Sequence, residues 1–273
     1  MVSASDTPAG EEASPTEGTH GLRVDRQKGI DRVINLLQGL LRLRAPARPG
    51  DLARLIGAPR STTYEIVNRL LEAELLDYVG DDGKVYFGRA MQLFGAAFAE
   101  VNPLYRRAAA VMAALAMETG ITAQICGLRG RKYTVLDSRS GAALFRITSD
   151  VGVEVPIPWT ASGRLLLGHM TPEAIRSLVP EEDYRLPDGR IIDRESFIAD
   201  VAHCTQRGWS ETTGLADHFT RCLAAPLHDG DRVCRMTLCL VAPAETPFSQ
   251  RDRLLTLLRN AATALSSEAP SCS

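Results

Sequence analysis

The stretch from Gly29 to Phe87 constrains the fold more than any other part of the chain. Apolar residues at three- to four-residue spacing (Ile30, Val33, Ile34, Leu37, Leu40, Leu41) predict an amphipathic helix over roughly 29–44. Ala45-Pro46-Ala47-Arg48-Pro49-Gly50 breaks it, a short helix follows over Asp51–Ile56, and Gly57 stops that one. A third helix is predicted from about Arg60 to Glu74, with Val67, Leu70 and Leu71 on its buried face. Leu75–Val79 and Lys84–Phe87 then read as strands joined by the turn Gly80-Asp81-Asp82-Gly83. This order of parts is that of a winged helix-turn-helix, whose third helix enters a DNA major groove while the hairpin lies along the backbone.

Charge agrees with that assignment. The net charge of −2 is uneven. Residues 1–21 carry four acidic and no basic side chains, residues 22–90 carry 12 Lys/Arg against 9 Asp/Glu, and residues 91–273 carry 19 against 20. A basic segment between an acidic tail and a near-neutral body suits a chain of which one part meets an anionic partner. Residues 1–21, rich in Ala, Ser, Thr, Pro, Gly and Glu, have no periodic apolar face and read as a disordered tail. They lack the basic and apolar character of a signal segment, and no apolar run approaches a membrane span, so a cytoplasmic protein is expected, with no membrane partner.

The expected organisation is a tail (1–21), a winged helix-turn-helix domain (22–89), a linker helix (90–102) and a C-terminal sensor domain (103–273). Met91–Glu100 and Pro103–Glu118 both read as apolar helices, and either pair two copies of the chain or bury themselves against its own body. Beyond Ile121 the pattern is mixed. Strands are predicted over 121–128, 132–137, 144–148, 209–213, 222–227 and 233–241, and helices over 161–169, 193–207 and 249–266. Strands of this kind interrupted by helices predict an α+β sensor domain.

On the third helix Ser61, Thr62, Tyr64, Asn68 and Arg69 lie off the apolar stripe, with Arg60 at its entrance and Lys84 on the hairpin. Hydroxyls and cations of this kind hold phosphates, and Arg and Asn read base edges. Glu65 repels phosphate; it either accepts from a cytosine amine or points away from the groove. One such motif reads few base pairs, so a dimer on a palindromic double-stranded operator is expected. In the C-terminal half, Thr160-Ala161-Ser162-Gly163-Arg164 opens a helix with small residues, leaving N–H groups that favour an anion or are simply capped by Thr160 or Ser162. Six scattered cysteines without a CxxC pair read as reduced core thiols. His203 and Cys204 are neighbours on a helix, and His218 with Cys222 falls short of a zinc ligand set, so neither a metal nor a cofactor is expected. No GxSxG, HExxH or glycine-rich phosphate loop occurs, which argues against an enzyme.

Over roughly residues 26–266 the chain resembles the IclR family of bacterial transcriptional regulators. The resemblance rests on Asp51-Leu52-Ala53-Arg54-Leu55-Ile56-Gly57-Ala58-Pro59-Arg60-Ser61-Thr62, on Val151-Gly152 leading to Thr160-Ala161-Ser162-Gly163-Arg164-Leu165-Leu166-Leu167, and on Arg207-Gly208-Trp209 leading to Arg221-Cys222-Leu223-Ala224-Ala225-Pro226. It implies a GAF-like, profilin-like effector-binding domain behind the winged helix, a homodimer or dimer of dimers, and control, often repression, of a small-molecule catabolic operon. It further implies that an effector carboxylate meets the backbone at Ala161-Ser162, beside Cys222 and an apolar wall of Leu144, Ile147 and Val155. Thr212, Cys239 and Val241 stand where relatives carry an aspartate and two serines, and Trp159 where many carry a small residue or histidine. The loss of polar groups points to an aromatic or branched organic acid. Two other readings stay open: a redox or metal sensor built on Cys222, Cys234 and Cys239, and a small-molecule enzyme with a vestigial helix-turn-helix.

Overall fold

A computed structural model describes residues 18–142, 151–228 and 233–267, which divide between Leu93 and Phe94 into two compact units. The first is a winged helix-turn-helix. Helix α1 (Gly18–Leu43), α2 (Pro49–Leu55) and α3 (Arg60–Glu72) are followed by the antiparallel hairpin β1 (Leu76–Val79) and β2 (Lys84–Phe87). Leu36, Leu40, Leu52, Val67, Leu70, Leu76 and Val85 form its core. Burying each of the larger side chains contributes about 1.5–3 kcal/mol. The α2–α3 turn depends on Gly57, whose φ of +63° is one that L side chains rarely adopt. The proline-rich break after α1 is used as well. Ala47 pairs with Val85, its N–H donating to the Val85 carbonyl at 3.1 Å and its carbonyl accepting in return at 2.9 Å, so the hairpin gains a third short edge.

Two expectations are corrected here. Residues 18–21, assigned to a disordered tail, begin α1; residues 1–17 lie outside the described residues. The buried stripe of α1 runs through Leu36 and Leu40, whereas Ile30 and Ile34 remain exposed.

Helix α4 (Ala90–Val101) straddles the boundary between the units and buries no side chain. Leu93, Phe94, Phe98 and Val101 are all exposed. Helix α5 (Pro103–Thr119) instead belongs to the second unit, where Ala108, Met112, Leu115 and Ala116 are buried. For α5, therefore, burial against the chain's own body is what the fold uses.

The second unit is α+β, built on a curled six-stranded antiparallel sheet. Its strands are β3 (Thr122–Arg129), β4 (Lys132–Arg139), β5 (Glu154–Val155), β6 (Ser210–Thr213), β7 (Thr220–His228) and β8 (Cys234–Pro243), in the order β5-β4-β3-β8-β7-β6. The predicted strand over 144–148 lies outside the described residues. Both sheet faces are covered. Ala123, Ile125, Leu223, Ala225, Leu238 and Leu240 pack with α5 and α9 (Phe248–Ser267). Cys126, Tyr133, Val135, Ala224, Cys239 and Val241 face a layer made of α6 (Ala161–Leu166), α7 (Pro172–Leu178) and α8 (Arg194–Arg207). The alternation of β3 between these faces follows from the two-residue period of a strand. No helix among the described residues is long and apolar enough to cross a membrane.

Candidate DNA-reading surface and effector cavity

The exposed face of α3 carries Ser61, Tyr64, Glu65, Asn68 and Arg69, with Thr63, Val67 and Leu70 buried behind it. Thr62 is half-buried. Arg60 opens the helix with its guanidinium against Gly50 of α2, where an added Cβ would lie 3.1 Å from Nη2. Arg69 is paired with Glu72 at 3.1 Å along the same helix. On the hairpin, Lys84 lies 2.7 Å from Asp82, which is also 3.8 Å from Arg48. The hydrogen bond from Lys84 holds the exposed Asp82 carboxyl below its ordinary range. Asn68 thus keeps its amide open to solvent, whereas Arg69 and Lys84 each have a carboxylate to leave.

In the second unit a cavity of about 260 Å³ lies between the sheet and the segment that leads into α6. A site of ~150 Å³ holds one benzene ring, so this space suits a substituted ring. Val155, Trp159, Ala161, Ser162, Cys222, Cys239 and Val241 line it together, seven of the residues singled out from the sequence. Thr212 is not at the wall: it is buried on the edge strand β6 opposite Cys222, one strand beyond where the cavity ends. Leu144 and Ile147 lie outside the described residues.

The segment ahead of α6 is fixed by a set of hydrogen bonds. A 3₁₀ turn over Ile157–Trp159 leads to Thr160, whose hydroxyl donates to the Ile157 carbonyl and accepts from the Gly163 N–H, both at 3.0 Å. Capping by Thr160 is therefore real, and Ser162 is engaged elsewhere, accepting from the Thr237 hydroxyl at 2.7 Å. The N–H groups of Ala161 and Ser162 still precede any intrahelical acceptor. The buried Arg164 donates to the Thr160 carbonyl at 2.9 Å and to that of Pro158 at 3.2 Å. It stacks on Phe197 at 5.2 Å and lies 3.5 Å from Asp200. Burial lowers its pKa from the ordinary guanidinium value, opposed chiefly by Asp200. The Trp159 indole N–H donates to the Asp183 carbonyl at 2.8 Å, and the Asp183 carboxylate is paired with Lys132.

Gly163 has no room for a side chain, because a Cβ would fall 2.3 Å from the Ile157 carbonyl oxygen and 2.8 Å from Thr160 Oγ1. Gly163→Ala is expected to lose the cap and overpack the turn, at a cost of about 2–4 kcal/mol. Scanning calorimetry should then show Tm lowered by several degrees; an unchanged Tm would mean that the turn moves aside freely.

Sequence reasoning missed several wall residues, among them Gln124, Tyr133, Val135 and Asp217. The available signal was Gln124, a lone amide inside the apolar run from Ile121 to Leu128. The Asp217 carboxylate accepts from the Phe219 N–H at 2.8 Å and the Thr220 hydroxyl at 2.9 Å. Cys126, Cys239 and Cys222 run diagonally across β3, β8 and β7 on the cavity side. Tyr133 donates to Cys126 Sγ at 2.9 Å. Contacts with the Cys126 and Cys222 thiols, and burial, push the Cys239 thiol well above its ordinary value. Burial, then the neighbouring thiols, does the same for Tyr133. Both stay protonated at neutral pH. Cys234 takes no part; its thiol donates to the Met236 carbonyl at 3.3 Å beside a separate, smaller cavity. Among the described residues no group of three His, Cys, Asp or Glu is placed to hold a metal ion.

Comparison with known proteins matches both units. The family model described as the bacterial transcriptional regulator IclR C-terminal domain covers residues 96–267, and the IclR helix-turn-helix domain covers 29–80. The chain is 27% identical over 205 residues to the HTH-type transcriptional regulator TtgV of Pseudomonas putida, covering 74% of this chain and 76% of that protein. It is 21% identical over 208 residues to the transcriptional repressor IclR of Escherichia coli, covering 75% and 76%. A solved regulator from Alicyclobacillus acidocaldarius superposes with a TM-score of 0.76 at 19% identity, over 88% of this chain and 98% of that one. An IclR homologue from Microbacterium hydrocarbonoxydans, solved in complex with 4-hydroxybenzoate, gives 0.75 at 20% identity with the same coverage.

Proposed function

The chain belongs to the IclR family of DNA-binding bacterial transcriptional regulators, and we propose that it represses a small-molecule catabolic operon in the cytoplasm and responds to a small, aromatic-sized organic acid. The observation that carries the proposal is the cavity of about 260 Å³, with a largely apolar wall, inside the second unit. Pockets of this type, apolar with a few polar groups, are where small molecules bind. The N–H groups of Ala161 and Ser162, which precede any intrahelical acceptor, are suited to the acid group, and the Microbacterium homologue with 4-hydroxybenzoate supports an aromatic skeleton. Relatives named as repressors, including the acetate operon repressor of Salmonella typhimurium, support the sign of regulation.

On the DNA side, Asn68 and Arg60 are the proposed base readers. Ser61, Thr62, Tyr64, Arg69 and Lys84 are proposed to hold phosphates. The exposed Leu93, Phe94, Phe98 and Val101 of α4 supply an apolar face for pairing two copies, so that two α3 helices meet a palindromic site as a homodimer or a dimer of dimers. An effector that binds one arrangement more tightly than the other shifts the population between them.

Fluorescence anisotropy on the DNA upstream of the protein's own gene, at two salt concentrations and with unrelated DNA as competitor, tests the reading. Specific binding that weakens with salt and is released by an aromatic acid is expected. Equal weak affinity for both DNAs, with and without a pool of organic acids, would overturn it. Calorimetry adds a second check: tighter binding of a two- or three-carbon acid than of benzoate would overturn the aromatic assignment.

A further inference from the structure

Gln124 stands in the middle of β3, 1% exposed, opposite Ser138 on one side and Cys239 on the other, with its side chain at the cavity wall. Its Nε2 makes no hydrogen bond. Among the described residues whose buried polar side-chain atoms lack a partner, it is the one that lines this cavity. A buried amide donor left unmade destabilises a fold, and an apolar side chain of the same shape would remove that cost. Its polar neighbours in the wall already have partners. Thr160 and Ser162 are bonded within the α6 entry, Asp217 is held by Phe219 and Thr220, and Tyr133 donates to Cys126.

We infer that Gln124 determines the specificity of the cavity, its amide N–H donating to an acceptor oxygen of an aromatic effector whose ring fills the space beside Val135, Trp159, Cys239 and Val241. The inference rests on the proposal that this cavity takes the effector. The Cys222 and Cys239 thiols in the wall favour an aromatic ring, because sulfur makes attractive contacts with ring edges. A site that must hydrogen-bond its ligand discriminates strongly against an analogue lacking the acceptor, since the buried donor is then left unpaired.

Gln124→Met keeps the length and volume of the side chain and removes the donor. Calorimetric titration of the full chain with benzoate, phenol and toluene, alongside the Tm of ligand-free protein, tests the assignment. The wild type is expected to bind phenol at least about tenfold more tightly than toluene. The variant is expected to bind toluene as the wild type does, to lose the preference for phenol over toluene while keeping that for benzoate, whose carboxylate is assigned to Ala161 and Ser162, and to melt at the same or a higher temperature without ligand. A variant that keeps the preference for phenol over toluene would overturn the role of Gln124 and leave the cavity reading standing. A lower ligand-free Tm would assign the amide a structural bond and overturn the inference too. A wild type that takes up none of the three probes would overturn the cavity reading, and this inference with it.

Discussion

Asn68→Ala is expected to weaken operator binding by about 1–3 kcal/mol for each α3 helix in a groove, so a complex occupying two half-sites loses roughly 30-fold or more. The side chain is exposed on the face of α3 opposite Val67 and Leu70, so the substitution leaves the core intact. Alanine is also the better helix former. The loss should depend on sequence, falling on the base pair that the amide reads. Arg69→Ala should differ in kind. Arg69 already spans 3.1 Å to Glu72, and its proposed partner is a phosphate, so affinity should fall uniformly across sequences and the salt slope should drop by about one. Effector affinity should be unchanged in both. Anisotropy titrations on operator and scrambled DNA separate these outcomes. If Asn68→Ala and Arg60→Ala both bind as the wild type does, α3 is not the reader, and the exposed Glu65 beside Asn68 would be explained by a face that never meets DNA.

How much was legible in the sequence depends on what made each element. The helix-turn-helix was readable because its turn needs Gly57 at positive φ and its hairpin needs Gly80 and Gly83 in the same region. The start of α1 was not, because periodicity detects a buried stripe, and that stripe begins in earnest at Leu36. Helix α7 was missed for a related reason: Ile175 is its one buried residue, so no stripe repeats. Its Thr171-Pro172 start, with the Thr171 hydroxyl accepting from the Ala174 N–H at 3.3 Å, was the signal that remained. In the cavity, Ala161, Ser162, Cys222, Cys239 and Val241 were reached through their positions in recognisable segments. Gln124 was not, since a polar residue in a strand reads as solvent-facing. Cover on both faces of β3 is what turns it inward. Thr212 fell outside the wall because the cavity stops one strand short of the sheet edge.

Closing the cavity should silence the response without silencing DNA binding. Cys222 is half-buried on β7, opposite Thr212 and Val241, with its thiol at the wall. Overpacking a filled core costs about 1–3 kcal/mol, but Cys222→Trp turns an indole into space that the fold leaves open. It should therefore displace ligand more than it strains the sheet. Effector affinity is expected to fall at least about 100-fold, or ~2.7 kcal/mol. The winged helix keeps its own core of Leu36, Leu40, Leu52 and Val67, so ligand-free operator affinity should stay within about twofold of the wild type. Ala161→Asp reaches the same end by charge, adding a carboxylate at a position 1% exposed in the wall, where it repels an acid. Because a ligand moves an equilibrium only as far as it binds one state better than the other, either variant should still hold the operator at the effector concentration that half-releases the wild type, with release shifted to at least about 100-fold higher concentration. A normal response in both would move the effector site elsewhere. Loss of operator binding without ligand, in folded protein, would mean that the empty cavity itself stabilises the arrangement that grips DNA.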